Sequence, residues 1–86
     1  MQLTLFTSAF CGPCMATRAV LAEAARLIPG AVVVEKDVVR FEADAAAAGI
    51  RTTPTVLVTN GEGAEVFRAE GVPTLNQVLL AASKAL

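Results

Sequence analysis

The chain contains no histidine, no tryptophan and no tyrosine among its 86 residues. Without histidine, no Cys–His or Ser–His–Asp catalytic arrangement can form within the chain, and the usual proton shuttle at neutral pH is missing. Cysteine occurs only twice, whereas a zinc site takes about four ligands, chiefly Cys, His or carboxylate. A zinc site within one chain is therefore disfavoured, and a site shared by two chains stays open.

Long apolar runs and clusters of charge are also missing. Hydrophobic residues make up 55% of the chain, yet no run approaches the roughly 20 apolar residues that span a bilayer. The seven basic and eight acidic residues are dispersed, so no basic surface is predicted for nucleic acid or anionic lipid. The first residues lack the basic start and apolar stretch of a signal peptide. We therefore expect a cytoplasmic monomer with one domain, residues 1–86, and no nucleic-acid or membrane partner.

Both cysteines stand in the motif Phe10-Cys11-Gly12-Pro13-Cys14, between a strand-like and a helix-like segment. A Cys-x-x-Cys pair at such a junction in a small α/β pattern is typical of a dithiol redox centre. Residues three apart share one face of a helix, so the two sulfurs can meet. A helix N-terminus offers unpaired N–H groups and the positive end of the dipole, which favour the thiolate of Cys11 over the thiol.

The two residues between the cysteines fit this interpretation. Pro13 suits the first helical turn, because its missing N–H is not needed there and its φ is already helical. Gly12 has no side chain, so the sulfur of a partner can reach Cys11. A purely structural disulfide is disfavoured, because the entropic stabilisation by a disulfide is smallest for short loops.

Hydrophobic periodicity and turn residues predict seven elements in the order β-α-β-α-β-β-α. The run Ala31–Val34 is nearly continuous in β-branched residues, as is typical of a strand buried on both faces. A strand, a helix and a second strand form a right-handed parallel βαβ unit. The predicted bounds are strand 2–7, helix 11–28, strand 31–34, helix 41–49, strands 55–59 and 64–68 around a turn at 60–63, and a last helix from about 75.

The last helix carries its own start signal, since Thr74 and Gln77 are spaced as a capping box. Its predicted apolar stripe comprises Leu75, Val78, Leu79, Ala82 and Leu86. Together the elements predict an α/β fold with a mixed four-stranded sheet flanked by helices. Two strands are expected to be parallel, and the hairpin antiparallel.

Pro54 opens the third strand, in the segment Arg51–Thr55. A proline is tolerated at the start of a strand because no ladder donor is lost there. By itself this position favours a trans bond, since cis forms make up only about one X–Pro bond in twenty.

The order and spacing of these features resemble the thioredoxin family over nearly the whole chain. The features are the CGPC motif, the βαβ unit, the segment Gly49–Thr55, the Asn60-Gly61 hairpin and Gly71 before the last helix. CGPC is characteristic of thioredoxins, and the proline-containing loop is the second landmark of the family. The resemblance implies a thioredoxin-like fold in which Pro54 is cis and lies beside the disulfide.

The same resemblance implies roles for four more residues. Cys11 would be the exposed nucleophile and Cys14 the more buried resolving thiol. Thr53 would offer its backbone N–H and C=O to an extended stretch of the target, as in strand addition. Gly71 would leave room for that target on the far side of the groove.

The chain departs from the family pattern near the cysteines. Phe10 stands where thioredoxins usually carry Trp, and it is expected either as an exposed contact surface or packed against the first helix. Leu5 stands where family members often have a buried Asp near the resolving cysteine. Without that Asp, water or Glu35 would have to accept the proton of Cys14.

The resemblance implies an enzyme, a thiol–disulfide oxidoreductase that reduces disulfides in target proteins. It would bind no cofactor, would bind no metal, and would be reset by a flavin-dependent thioredoxin-type reductase. Three other functions stay open: a glutaredoxin-like enzyme that uses glutathione, with Arg51 near the proline loop; a disulfide oxidase; and a redox-switched binding module. The groove of that module would be formed by Phe10, Gly12, Thr53 and Gly71.

Overall fold

A computed structural model describes the whole chain, residues 1–86. Seven elements follow one another in the predicted order, with bounds within three residues of the predicted ones. They are β1 (Gln2–Thr7), α1 (Gly12–Leu27), β2 (Val32–Asp37), α2 (Glu42–Ala48), β3 (Thr55–Thr59), β4 (Glu65–Glu70) and α3 (Leu75–Ala85). None of the three helices combines the length and the apolar character needed to cross a membrane.

The four strands form one mixed sheet in the order β2-β1-β3-β4. Strands β1 and β2 are parallel, whereas β1/β3 and β3/β4 are antiparallel. The β3–β4 hairpin turns at Asn60, whose side-chain oxygen accepts hydrogen bonds of 3.0 Å from the N–H groups of Glu62 and Ala64. The predicted mixed four-stranded sheet is therefore confirmed.

One face of the sheet carries the main core. Alternate residues of β1 and β3 point to this face, and all four of them are at most 1% exposed. Burial of one such side chain contributes about 1.5–3 kcal/mol, so this core holds α1 and α3 firmly on the sheet. Its members are Leu3, Leu5, Leu21, Ala24, Ile28, Val56, Val58, Val78, Ala81, Ala82 and Ala85.

The opposite face is covered by the short helix α2. Phe6 and Leu57 pack there with Ala45 in a smaller cluster. Gly49 ends α2 as predicted, with φ 69°, a left-handed conformation that glycine adopts at little cost. The chain then turns back towards the start of β3, which places Pro54 at the end of the sheet where β1 ends.

Strand β2 lies at an edge of the sheet, and the prediction that it is buried on both faces is wrong. Val32 is 56% and Val33 41% exposed, because β1 is the only partner of this strand. A run of β-branched residues reports strand propensity. The position of a strand within the sheet depends on which other strands pair with it, and no local pattern encodes that order.

Helix α3 begins with the predicted capping box. The Thr74 hydroxyl accepts a hydrogen bond from the N–H of Gln77, and the Gln77 side chain accepts one from the N–H of Thr74. The predicted apolar stripe is wrong at Leu86, which is 91% exposed because it follows the last helical residue. The small residues Ala81 and Ala85 are buried in its place.

Candidate redox site

Cys11 and Cys14 form a disulfide, with their Sγ atoms 2.12 Å apart and their Cα atoms 5.3 Å apart. Cys14 is only 1% exposed, whereas Cys11 is partly exposed. The chain has no other cysteine. A partner molecule can therefore reach this pair from the side of Cys11.

The pair lies at the N-terminus of α1. Cys11 is the N-cap residue, and the helix starts at Gly12, one residue later than predicted. No side chain caps this end and no acidic residue lies in the first turn, while Pro13 has no N–H to leave unpaired. No acidic side chain in the first turn opposes the positive end of the helix dipole at Cys11, and such a position in general favours a thiolate over a thiol once a disulfide is reduced.

Phe10 projects into solvent and does not pack against α1. Its side chain is 106% exposed, and its backbone has φ 59°, which is uncommon for a residue other than glycine. Gly12 is open as well, because a Cβ added there would meet no atom within 4 Å. An open depression of about 470 Å³ surrounds this side of the disulfide and is lined by Ser8, Phe10, Cys11, Gly12, Met15 and Arg18.

The peptide bond between Thr53 and Pro54 is cis, as the resemblance implied, and Pro54 is buried. The N–H of Gly71 donates a hydrogen bond of 2.8 Å to the carbonyl of Pro54. Gly71 has φ 103°, in a region that glycine reaches without steric strain. The structure thus brings Gly71 and the cis proline together.

A side-chain hydrogen bond of Thr53 connects two loops of the site. They are residues 50–54, here called the proline loop, and residues 8–11, here called the cysteine loop. The Thr53 hydroxyl lies 2.6 Å from the hydroxyl of Ser8. The backbone N–H and C=O of Thr53 make no hydrogen bond within the chain, and so they stay available to a ligand. Sequence analysis missed Ser8, because its partner lies 45 residues away and no local pattern reports such a contact.

No acidic side chain occupies the core beneath α1. Leu5 is 1% exposed, and Glu35 is its neighbour in the register of the sheet. Arg18 donates hydrogen bonds of 2.7 and 2.8 Å to the two carboxylate oxygens of Glu35. These bonds hold the pKa of Glu35 below its ordinary value, outweighing the opposite effect of partial burial. Glu35 is therefore a weak proton acceptor for Cys14.

An apolar cavity of about 370 Å³ lies between the C-terminal ends of α1 and α3, at the opposite end of α1 from the cysteines. It is lined by Leu27, Ile28, Pro29, Leu79, Ala82, Ser83 and Leu86. No three His, Cys, Asp or Glu side chains lie close enough together to hold a metal ion.

The chain is similar to thioredoxins in sequence and in fold. The family model described as Thioredoxin matches residues 1–83. A mutant thioredoxin from Halobacterium salinarum NRC-1 is 28% identical, with a TM-score of 0.85 over 99% of this chain and 74% of that chain. The reduced thioredoxin pre-protein of Schistosoma mansoni is 24% identical, with a TM-score of 0.84 over 99% of this chain and 78% of that one. Curated proteins gave no match. The structural comparisons confirm the thioredoxin-like fold.

Proposed function

Because this chain belongs to the thioredoxin family, we propose that it reduces disulfide bonds in other proteins. The family and the Cys11–Cys14 disulfide make it a thiol–disulfide oxidoreductase. One observation carries the finer proposal: Cys11 is accessible at a helix N-terminus, whereas Cys14 is buried behind it. Two-step exchange uses this arrangement, because one sulfur attacks the target and the other then releases it.

The exchange balances in electrons and protons. The Cys11 thiolate attacks one sulfur of the target disulfide, and the other target sulfur leaves and takes up a proton. Cys14 loses its proton and attacks Cys11 in the mixed disulfide, which expels the second target sulfur. The second target sulfur then takes up a proton as well, and the Cys11–Cys14 bond closes. The target gains two electrons and two protons, of which one comes from Cys14 and solvent supplies the one that Cys11 lost when it ionised.

The target is held beside the cysteines by main-chain contacts. The free N–H and C=O of Thr53 pair with an extended stretch of target, in the manner of strand addition. Gly71 keeps the far side of the groove open, since a Cβ added there would meet no atom within 4 Å. Phe10 and Met15, which are 106% and 71% exposed, supply apolar contacts around Cys11.

The oxidised pair needs a second protein to reduce it. A flavin-dependent thioredoxin-type reductase is the partner we assign to this step, and the chain acts in the cytoplasm as a monomeric electron carrier. No bound cofactor is required, because the two sulfurs themselves hold the electron pair that is transferred.

A protein target is favoured over glutathione by the charges beside the proline loop. The depression of about 230 Å³ next to Thr53 contains one basic side chain, Arg51. Glu70 binds the Arg51 guanidinium at 3.1 Å. Glutathione carries two carboxylates, which free basic side chains would bind, so the ion pair with Glu70 leaves little to attract it.

Insulin-disulfide reduction, coupled to a thioredoxin-type reductase, tests the proposal. Cys11→Ser should abolish turnover, and Cys14→Ser should accumulate mixed disulfides that reducing agent releases. Activity retained in Cys11→Ser, or no trapped species in Cys14→Ser, would contradict the two-step scheme. Turnover with glutathione and glutathione reductase alone would favour the glutaredoxin-like function, and stoichiometric binding without turnover would favour a binding module. A reduction potential of about −120 mV, instead of about −270 mV, would indicate an oxidase.

A further inference from the structure

The hydroxyl pair of Ser8 and Thr53 is a tertiary contact that the exchange steps above do not use. Ser8 directly follows β1, and Thr53 directly precedes Pro54. Their oxygens are 2.6 Å apart, and either one can be the donor. No other hydrogen bond joins the cysteine loop to the proline loop. This contact therefore links the sulfur-bearing loop directly to the loop with the free backbone groups.

The other hydrogen bonds of the proline loop connect it to α2, β3 and β4, and none of them reaches the cysteine loop. The Thr55 hydroxyl donates a hydrogen bond of 2.6 Å to the carbonyl of Thr52, and the N–H of Gly71 donates to Pro54. The first bond ties the loop to β3 and the second ties it to the end of β4. The N–H of Ile50 also donates to the carbonyl of Ala45 in α2, and Arg51 donates to Glu70 of β4. Without Ser8, no hydrogen bond would hold Thr53 relative to Cys11.

Residues 8–10 of the cysteine loop make few hydrogen bonds to the rest of the chain. The carbonyl of Thr7 accepts a hydrogen bond of 2.9 Å from the N–H of Val38, and this is the last backbone bond before the loop. Residues 8–10 make no backbone hydrogen bond at all. The Ser8 side chain therefore supplies the only hydrogen bond that these three residues make to the rest of the chain.

Ser8 also occupies a distinctive place on the surface. It lines the depression around Cys11 and the depression beside Thr53, and no other residue lines both. Ser8 therefore lies where the depression around Cys11 and the depression beside Thr53 adjoin.

We propose that Ser8 is a positioning residue for thiol–disulfide exchange. Its hydrogen bond fixes the position of the Thr53 backbone relative to the Cys11 sulfur. Thr53 is β-branched and has few χ1 rotamers, so a hydrogen bond on its hydroxyl also restrains the main chain that carries the free N–H and C=O. The substrate class concerned is an extended polypeptide disulfide. A small disulfide without a peptide backbone reacts at Cys11 and makes no use of Thr53. This inference rests on the proposed reduction of protein disulfides.

Steady-state kinetics of Ser8→Ala test the proposal with two substrates. Loss of one net hydrogen bond corresponds to an increase of about three- to tenfold in KM for insulin, with kcat little changed. The rate with a small aromatic disulfide should stay at the wild-type level. Ser8→Thr keeps the hydroxyl and should restore the KM. Ser83→Ala is the matched control, because the Ser83 hydroxyl bonds only the carbonyl of Leu80 on α3.

A double-mutant cycle tests whether the effect of Ser8→Ala depends on the hydrogen bond to Thr53. The second variant is Thr53→Val, which keeps the shape of the side chain and removes its hydroxyl. If the two hydroxyls act as one unit, Ser8→Ala/Thr53→Val should raise the KM no further than Thr53→Val alone. Additive effects, or equal losses with insulin and with the small disulfide, would overturn the positioning role. An unchanged KM in Ser8→Ala would overturn it too. Failure of the wild-type chain to reduce insulin would instead overturn the proposed function, so the two failures are distinguishable.

Discussion

Arg18 of α1 binds Glu35 of β2 through both carboxylate oxygens, at 2.7 and 2.8 Å. This ion pair spans the surface of the molecule next to Leu5, which is the sheet neighbour of Glu35. The carboxylate closest to Leu5 in the sheet is thus already bound by a cation. In the proposed exchange we therefore expect water, and not Glu35, to accept the proton of Cys14.

Leu5→Asp should accelerate the resolution step by supplying a buried proton acceptor beneath α1. Leu5 belongs to the main core, so the substitution should also lower the free energy of unfolding by about 2–5 kcal/mol. The rate at which a preformed mixed disulfide releases its target measures the first effect, and urea unfolding measures the second. Leu5→Asn is the matched control, because it has nearly the same shape and cannot accept the proton. Equal rates in the two variants would show that proton transfer from Cys14 is not limiting.

Glu35→Gln should lower stability at neutral pH and make little difference in acid. Arg18 lowers the pKa of Glu35 in the folded chain below the ordinary value of 4.5. A group with a lowered folded pKa stabilises the fold above its unfolded pKa and loses that contribution as the pH falls through the folded value. Both side chains are more than one third exposed, so the effect should be small and should shrink in high salt.

Urea midpoints of the wild-type chain and Glu35→Gln, compared at neutral pH and near pH 3, check this linkage. Glu62→Gln serves as the control, because Glu62 lies in the hairpin turn and its side chain binds no cation in the structure. A gap between wild type and Glu35→Gln that stays constant down to acid pH would contradict the role of the ion pair.

Gly71→Ala should destabilise the chain and weaken target binding together. Its φ of 103° lies in a region that costs an L residue about 1–3 kcal/mol, and relaxation would disturb the hydrogen bond to Pro54. Urea unfolding and the KM for insulin measure the two effects. Gly61→Ala is the control, since Gly61 has no positive φ and a Cβ there meets no atom within 4 Å. Equal stability of the two variants would show that the backbone at Gly71 relaxes freely.

Phe10→Ala should raise the KM for protein disulfides without lowering stability. The ring is 106% exposed, so its removal takes away no buried contact. Insulin kinetics and thermal unfolding, measured on the same preparation, separate the two properties. Met15→Ala, at the next exposed apolar side chain around Cys11, should show the same pattern. A clear loss of stability in Phe10→Ala would show that this ring packs against other side chains of the protein in solution.

Several features of the site could be predicted from the sequence because they depend on neighbours along the chain. Cys11 and Cys14 are three residues apart, so any helix that starts at this point brings their sulfurs together. Thr74 and Gln77 form their capping box within one turn. The cis form of Pro54 was different, because its local context favours trans, and it followed only from the resemblance of the whole chain to a family.

Contacts between distant residues could not be predicted in this way. Ser8 and Thr53, Gly71 and Pro54, and Arg18 and Glu35 come together only after the sheet has formed, because the order of its strands decides which loops become neighbours. The same cause explains the error at Val32 and Val33, whose residue types specify a strand but not its place at the edge.

The sequence by itself determined the seven elements, the redox pair and the end of α1 at which it lies. These depend on hydrophobic periodicity, on turn residues and on helix geometry, all of which act over a few residues. Only the tertiary structure decided that Val32 and Val33 lie at an exposed edge, that Glu35 binds Arg18, and that Ser8 joins the two loops. Burial and long-range hydrogen bonds depend on which elements pack against each other, and that is a property of the folded chain as a whole.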